Sequence, residues 1–101
     1  MNVKVMEGLK EKIELTADLF YKQKNSEGYQ SLVSVIDDLM VLISELKTVQ
    51  DNEEFHAFHQ VLTEKLQEIT EAMLQKDTIL IADMIKYDII ELLDEIAELE
   101  I

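Results

Sequence analysis

In 101 residues there is no proline, and there are only two glycines, Gly8 and Gly28. Hairpin turns rely on glycine, often after asparagine or aspartate, to reach positive φ, and antiparallel sheets are built on such turns. A chain without them has little means of reversing every few residues. Helices ask for less, because one serine, asparagine or aspartate side chain at a boundary can cap and start them. Since 48% of the residues are hydrophobic, there is also material for a core. The expected fold class is all-α, in one domain spanning residues 1–101.

Apolar spacing places four helices, at about 3–22, 27–50, 52–75 and 78–98. In the first, Met6, Leu9, Ile13, Ala17 and Phe20 recur at three- and four-residue steps and form one narrow stripe, with Leu15 and Leu19 on another side. The segment KQKNSEG then breaks the pattern, and Asn25 or Ser26 is placed to cap the second helix. That helix has apolar residues over roughly half of its circumference, at about 100° per residue, so it must meet more than one neighbour. Asp51 with Glu54 three residues on has the form of a capping box opening the third helix.

The third helix carries Phe55, Phe58, Leu62, Leu66, Ile69 and Met73 on one stripe; the fourth carries Ile81, Ile85, Ile89, Leu92, Ile96 and Leu99. In a single rod those stripes would point roughly 130° apart. A break is therefore expected at Lys76-Asp77, with Asp77 as N-cap. Connections of only a few residues make successive helices antiparallel neighbours, which gives an up-down-up-down four-helix bundle. A pair of helical hairpins that completes its core by dimerising is the alternative.

Charge narrows the partners. There are 22 acids against 9 lysines and no arginine, for a net charge of -13. Phosphate surfaces favour the planar fork of arginine, and a field this negative repels nucleic acids and anionic membranes. A basic or amphipathic protein segment is the partner such a field admits. The apolar runs TILIA and LMVLI fall far short of the ~20 residues of a membrane span. The N-terminal MNVKVMEGLKEK lacks the apolar stretch of a signal peptide, and a cytoplasmic location is expected.

Chemistry has few footholds. The absence of cysteine excludes thiol catalysis and disulfides. Glu53 and His56 have the Glu-x-x-His spacing of carboxylate-bridged di-iron bundles, which need that motif twice and further inward glutamates; here it occurs once. His59 lies beside the line of Phe55 and Leu66 and reads as a boundary residue; His56 lies further round, towards solvent. Histidine phosphotransfer domains are also four-helix bundles, with a lysine and a small residue a few positions after the histidine to neutralise and admit the phosphoryl group; after His59 the sequence QVLTEK does not fit that pattern. Adjacent acids such as Asp37-Asp38 and Asp94-Glu95 face different directions and suit solvation. No catalytic residue, cofactor or metal site is expected.

The most informative stretch is DTILIADMIKYDIIELLDEI, residues 77–96. Beside its main stripe it carries a second, Leu80, Met84 and Tyr87, flanked by Asp83 and Glu91, while Asp88 sits at the edge of the main stripe. Either neighbouring helices cover both stripes and Asp88 finds a lysine at the rim, or Leu80, Met84 and Tyr87 form an exposed partner-binding strip rimmed by acids. Val41, on the polar side of the second helix, is a weaker sign of the same kind.

Residues Asp77, Leu80, Ile81, Ala82, Asp83, Tyr87 and Asp88 make an acid, a LIAD run and an aromatic-acid pair. In this the segment resembles the C-terminal helix of small acidic helical proteins of unassigned function from Gram-positive bacteria, over about a quarter of the chain; the resemblance implies no activity. In size, acidity and helical content the chain is also similar to bacterial secretion and flagellar export chaperones, which bind amphipathic segments of their clients. The expected function is a non-enzymatic protein-binding module, a chaperone or adaptor that docks an amphipathic or basic segment. The alternative is a self-associating homodimer built on the wide apolar faces of helices 2 and 4; a third class is a phosphotransfer or metal site at His56 and His59.

Overall fold

The computed structural model of the chain describes residues 3–48 and 53–99. Nearly all of them are helical: α1 Val3–Tyr21, α2 Asn25–Thr48, α3 Glu53–Leu74, and a fourth helix, α4. This last helix is continuous but not uniform, with an α-helical stretch Thr78–Asp83, a π-helical turn Met84–Ile89 and a second α-helical stretch Ile90–Leu99. No strand occurs among the described residues. Asp51, read as half of a capping box, lies outside the described residues.

Side-chain contacts between helices give the direction of each one. Lys12 reaches Ser34 and Asp38 while Thr16, one turn later, meets Ser31, so α1 and α2 run oppositely. Lys10 pairs with Asp94 and Tyr21 with Asp83, so α4 also runs against α1. Glu54 shares a cleft with Glu98, and Lys65 bonds Asp88, so α3 and α4 are antiparallel as well. With α1 up, α2 and α4 are down and α3 is up, which is the up-down-up-down bundle expected from short connections. α1 packs against both α2 and α4, and α3 closes the other side.

The core follows the stripes. Met6, Leu9, Ile13, Ala17 and Phe20 of α1 are all buried, facing Leu32, Val35, Leu39 and Leu42 of α2. α3 buries Phe55, Leu62, Ile69 and Ala72, and leaves Phe58, Leu66 and Met73 half-buried at the edges of its stripe. α2 meets α1 and α3, as its wide apolar face requires, although Val33 and Met40 stay exposed. Among the described residues one polar residue, Thr16, is fully buried, in the α1–α2 seam; its hydroxyl donates to the Lys12 carbonyl at 2.7 Å and also meets Ser31. That internal bond satisfies a group whose burial would otherwise be costly.

Both short turns end a helix in the same way. Gln23 and Lys76 have φ of 63° and 57°, and each supplies the left-handed residue that follows a helix. At the second turn Lys76 N–H donates to the Met73 carbonyl and Asp77 N–H to the Ala72 carbonyl, the reciprocal pair that satisfies the last carbonyls. Gln23 and Lys24 donate in the same pattern to Phe20 and Leu19. Asp77 then caps α4 by accepting from Leu80 N–H at 3.1 Å, so the break falls where the two stripes demanded it. The second helix starts earlier than expected. The Lys24 carbonyl already accepts from Gly28 N–H at 2.9 Å, which draws Asn25 and Ser26 into the first turn instead of leaving them as caps.

The π-helical turn was not legible as such, and its cause lies in the spacing of α4. Ile81, Ile85, Ile89 and Leu93 are each four residues apart, and all four are fully buried. In a straight α-helix each four-residue step drifts by about 40°, so Leu93 would stand about 120° from Ile81. One wider turn absorbs the drift and keeps these side chains on the core. It also moves the stripe: Leu93 is buried where Leu92 was expected, and Leu92 is left half-buried.

The α1–α2 hairpin is closed by an aromatic ring lying on a glycine. A Cβ placed on Gly28 would come within 2.9 Å of the Phe20 ring, whose edge-to-face neighbour is Tyr29 at 5.1 Å between centroids. Phe20 is fully buried and has no room to retreat. Gly28→Ala should therefore lower the melting temperature, because overpacking of about 1–3 kcal/mol exceeds the helix-propensity gain of about 0.5–1 kcal/mol. Lys76→Gly should act in the opposite sense, relieving about 1 kcal/mol of left-handed strain. Thermal melts of the two variants followed by circular dichroism check both signs.

Candidate protein-binding surface

The strip Leu80, Met84 and Tyr87 does not survive as a unit. Leu80 is 42% and Tyr87 59% exposed, but Met84 is only 8% exposed and belongs to the core. Met84 stands about 60° round from Ile81, closer to the core line than either of the others, and its flexible side chain reaches inward. Ile79 and Leu74, near the α3–α4 turn, are exposed as well. Asp88 has the partner a rim acid needs: Lys65 lies 3.4 Å away and bonds Glu68 as well, and these contacts, Glu68 first, raise the lysine's pKa.

The outer side of the π-helical turn carries a small polar cluster. Lys86 lies over two tyrosine rings, 5.5 Å from the centroid of Tyr21 and 5.6 Å from that of Tyr87. Tyr21 donates its hydroxyl to Asp83, which ties the end of α1 to the start of α4. Desolvation, helped by that bond, pushes the Tyr21 pKa up to about 12. The arrangement ties α1 and α4 together.

A formed groove lies elsewhere, between the first half of α1 and the second half of α2. Val5, Met6 and Leu9 face Val41 and Leu42 across a cavity of about 410 Å³, with Asp38 and Glu45 on its rim. Val5 and Val41 form its mouth, 66% and 59% exposed. The groove lies beyond the Lys12–Asp38 bridge, away from the turn where the Phe20 ring lies on Gly28. The sequence signalled one wall of it in Val41, an apolar residue among polar ones. Val5 gave no comparable signal, because it sits beside the core stripe of α1 and reads as part of it.

His56 is exposed and His59 half-buried, on neighbouring turns near the start of α3. Among the described residues no group of three or more histidines and acids is placed to hold a metal ion. Nor is any helix there long and apolar enough to cross a membrane.

The described residues form an antiparallel four-helix bundle with an acid-rimmed apolar groove between α1 and α2. The chain belongs to the family described as a domain of unknown function, DUF8042, whose profile it matches over residues 3–99. No curated protein and no solved structure matches it.

The Tyr21 contact makes an alkaline prediction. Its folded pKa lies above the unfolded value of 10, so the stabilisation is complete below pH 10 and is lost as pH rises from 10 to about 12. The melting temperature should fall across that window, and less steeply in Tyr21→Phe. Phenolate absorbance should show a step near pH 12 that the same variant lacks.

Proposed function

We propose that this chain is a non-enzymatic protein-binding module, acting as a chaperone or adaptor, which docks an amphipathic or basic segment of another protein in the cytoplasm. The observation that carries the reading is an apolar groove between α1 and α2 with acids on its rim, on a chain of net charge -13. Open apolar grooves rimmed by polar residues are typical of helix-in-groove recognition. The negative field speeds the approach of cationic segments and excludes nucleic acids and anionic membranes.

A second reading is favoured by a different feature. Val33 and Met40, seven residues apart and hence on one side of α2, are exposed beside half-buried Ile36 and Ile43. Such a stripe is a candidate two-fold contact between copies of this chain. The matching face of α4 contributes less than its sequence suggested, because Met84, Ile85 and Ile89 are spent on the bundle's own core.

Light scattering over a range of protein and salt concentrations separates the two. The expected result is a monomer throughout, with the groove reserved for another protein. A stable dimer that dissociates in a Val33→Glu, Met40→Glu double variant would replace the binding-module reading with self-association.

A further inference from the structure

In a chain with 22 acids and 9 lysines, a lysine on a helix surface ordinarily finds a carboxylate. Lys10, Lys12, Lys22 and Lys65 all do. Lys86 does not. Asp83 stands three residues before it, the spacing that pairs side chains on one helix face, but the Asp83 carboxylate accepts the Tyr21 hydroxyl. Among the described residues Lys86 makes no ion pair. Its ammonium lies instead 5.5 Å from the centroid of Tyr21 and 5.6 Å from that of Tyr87, both within the ~6 Å reach of a cation–π contact.

The surroundings of that ammonium are built for a cation. Tyr21 ends α1 and Tyr87 stands in the π-helical turn of α4, so tertiary packing brings the two rings to one positive charge. The Tyr21 phenol donates to a carboxylate, which pushes electron density into its ring and strengthens the attraction of the ring face for a cation. The charge of Asp83 acts in the same direction. The place is also open to solvent, since Lys86 is exposed and Tyr87 is 59% exposed. Two aromatic rings and a carboxylate are the parts of the aromatic cages that hold methylated ammonium groups. Lys86 fills the place with a less suitable group, because a primary ammonium is compact and strongly hydrated. Methyl groups spread the same charge over a weakly hydrated surface that gains more from a ring face.

We infer that Tyr21, Tyr87 and Asp83 form a binding site for a methylated ammonium group, which the Lys86 side chain occupies in the free protein and vacates when a ligand enters. The ligand is a free quaternary ammonium such as choline or a methylated lysine of another protein, and both present the same group to the rings. The site lies between α1 and α4, apart from the α1–α2 groove, and does not depend on what that groove binds.

The probe is tetramethylammonium chloride, titrated into the full chain against sodium chloride at equal concentration, since the negative field of the protein attracts both ions alike. The ring resonances of Tyr21 and Tyr87, followed by nuclear magnetic resonance, should shift to saturation with tetramethylammonium and not with sodium. Lys86→Ala empties the place and should tighten binding about two- to fivefold, the worth of one exposed cation–π contact. In that background Tyr87→Phe keeps the ring and should retain binding, whereas Tyr87→Leu should weaken it by about fivefold or more. Tyr87 is exposed, so both variants should keep the helical circular dichroism of the parent.

Equal shifts with the two salts, a Lys86→Ala variant that binds no better than the parent, or binding indifferent to Tyr87→Leu overturns the inference. Choline and a short peptide carrying trimethyllysine then separate the two sources, the tighter ligand showing which one the site is built for. A peptide that binds as well with its lysine unmethylated overturns the methylated class.

Discussion

The Phe20 ring occupies the space that a side chain on Gly28 would need, and the α1–α2 hairpin depends on that fit. With the ring against glycine, the α1–α2 hairpin closes tightly at its turn, and the register brings Thr16 to Ser31 and Lys12 to Ser34 and Asp38. The cavity between Val5 and Val41 lies towards the other end of the same hairpin, over the buried Met6, Leu9 and Leu42.

Electrostatics is organised around the same seams. Lysines that cross between helices do so against acids: Lys10 to Asp94 and Lys12 to Asp38 at 2.7 Å, and Lys65 to Asp88 at 3.4 Å. The bond to Asp94 raises the Lys10 pKa. Exposed pairs of this kind contribute about 0–1 kcal/mol each, so they steer register more than they hold the fold together. With 22 acids against 9 lysines, the larger part of the negative charge is left to act at long range on whatever approaches.

Much of this was legible in the sequence. The α1 stripe is buried residue for residue, the break falls at Lys76-Asp77, and Asp77 caps the helix it begins. These features are local or strictly periodic, and a helical wheel captures them. The misses have a common origin in non-local packing. Met84 was grouped with Leu80 and Tyr87 in a second stripe that could be exposed or covered; its flexible side chain, near the core line, turns inward while the other two stay exposed. The exchange of Leu92 for Leu93 came from a π-helical turn that no local propensity demanded. The groove between α1 and α2 was legible only on one wall, because a cavity is a property of two helices and a spacing pattern describes one.

Composition and periodicity determined that this chain is helical, where its helices break and which faces they bury, since glycine, proline, caps and a repeat near 3.6 act within a few residues of themselves. Tertiary structure decided which of the surplus apolar residues remain outside. Val5 and Val41 are no greasier than residues that vanish into the core, and Gly8 looks no different in sequence from Gly28. Only the packing of α1 against α2 leaves Val5 and Val41 lining an open groove and Gly8 in open space, and places Gly28 beneath the ring of Phe20.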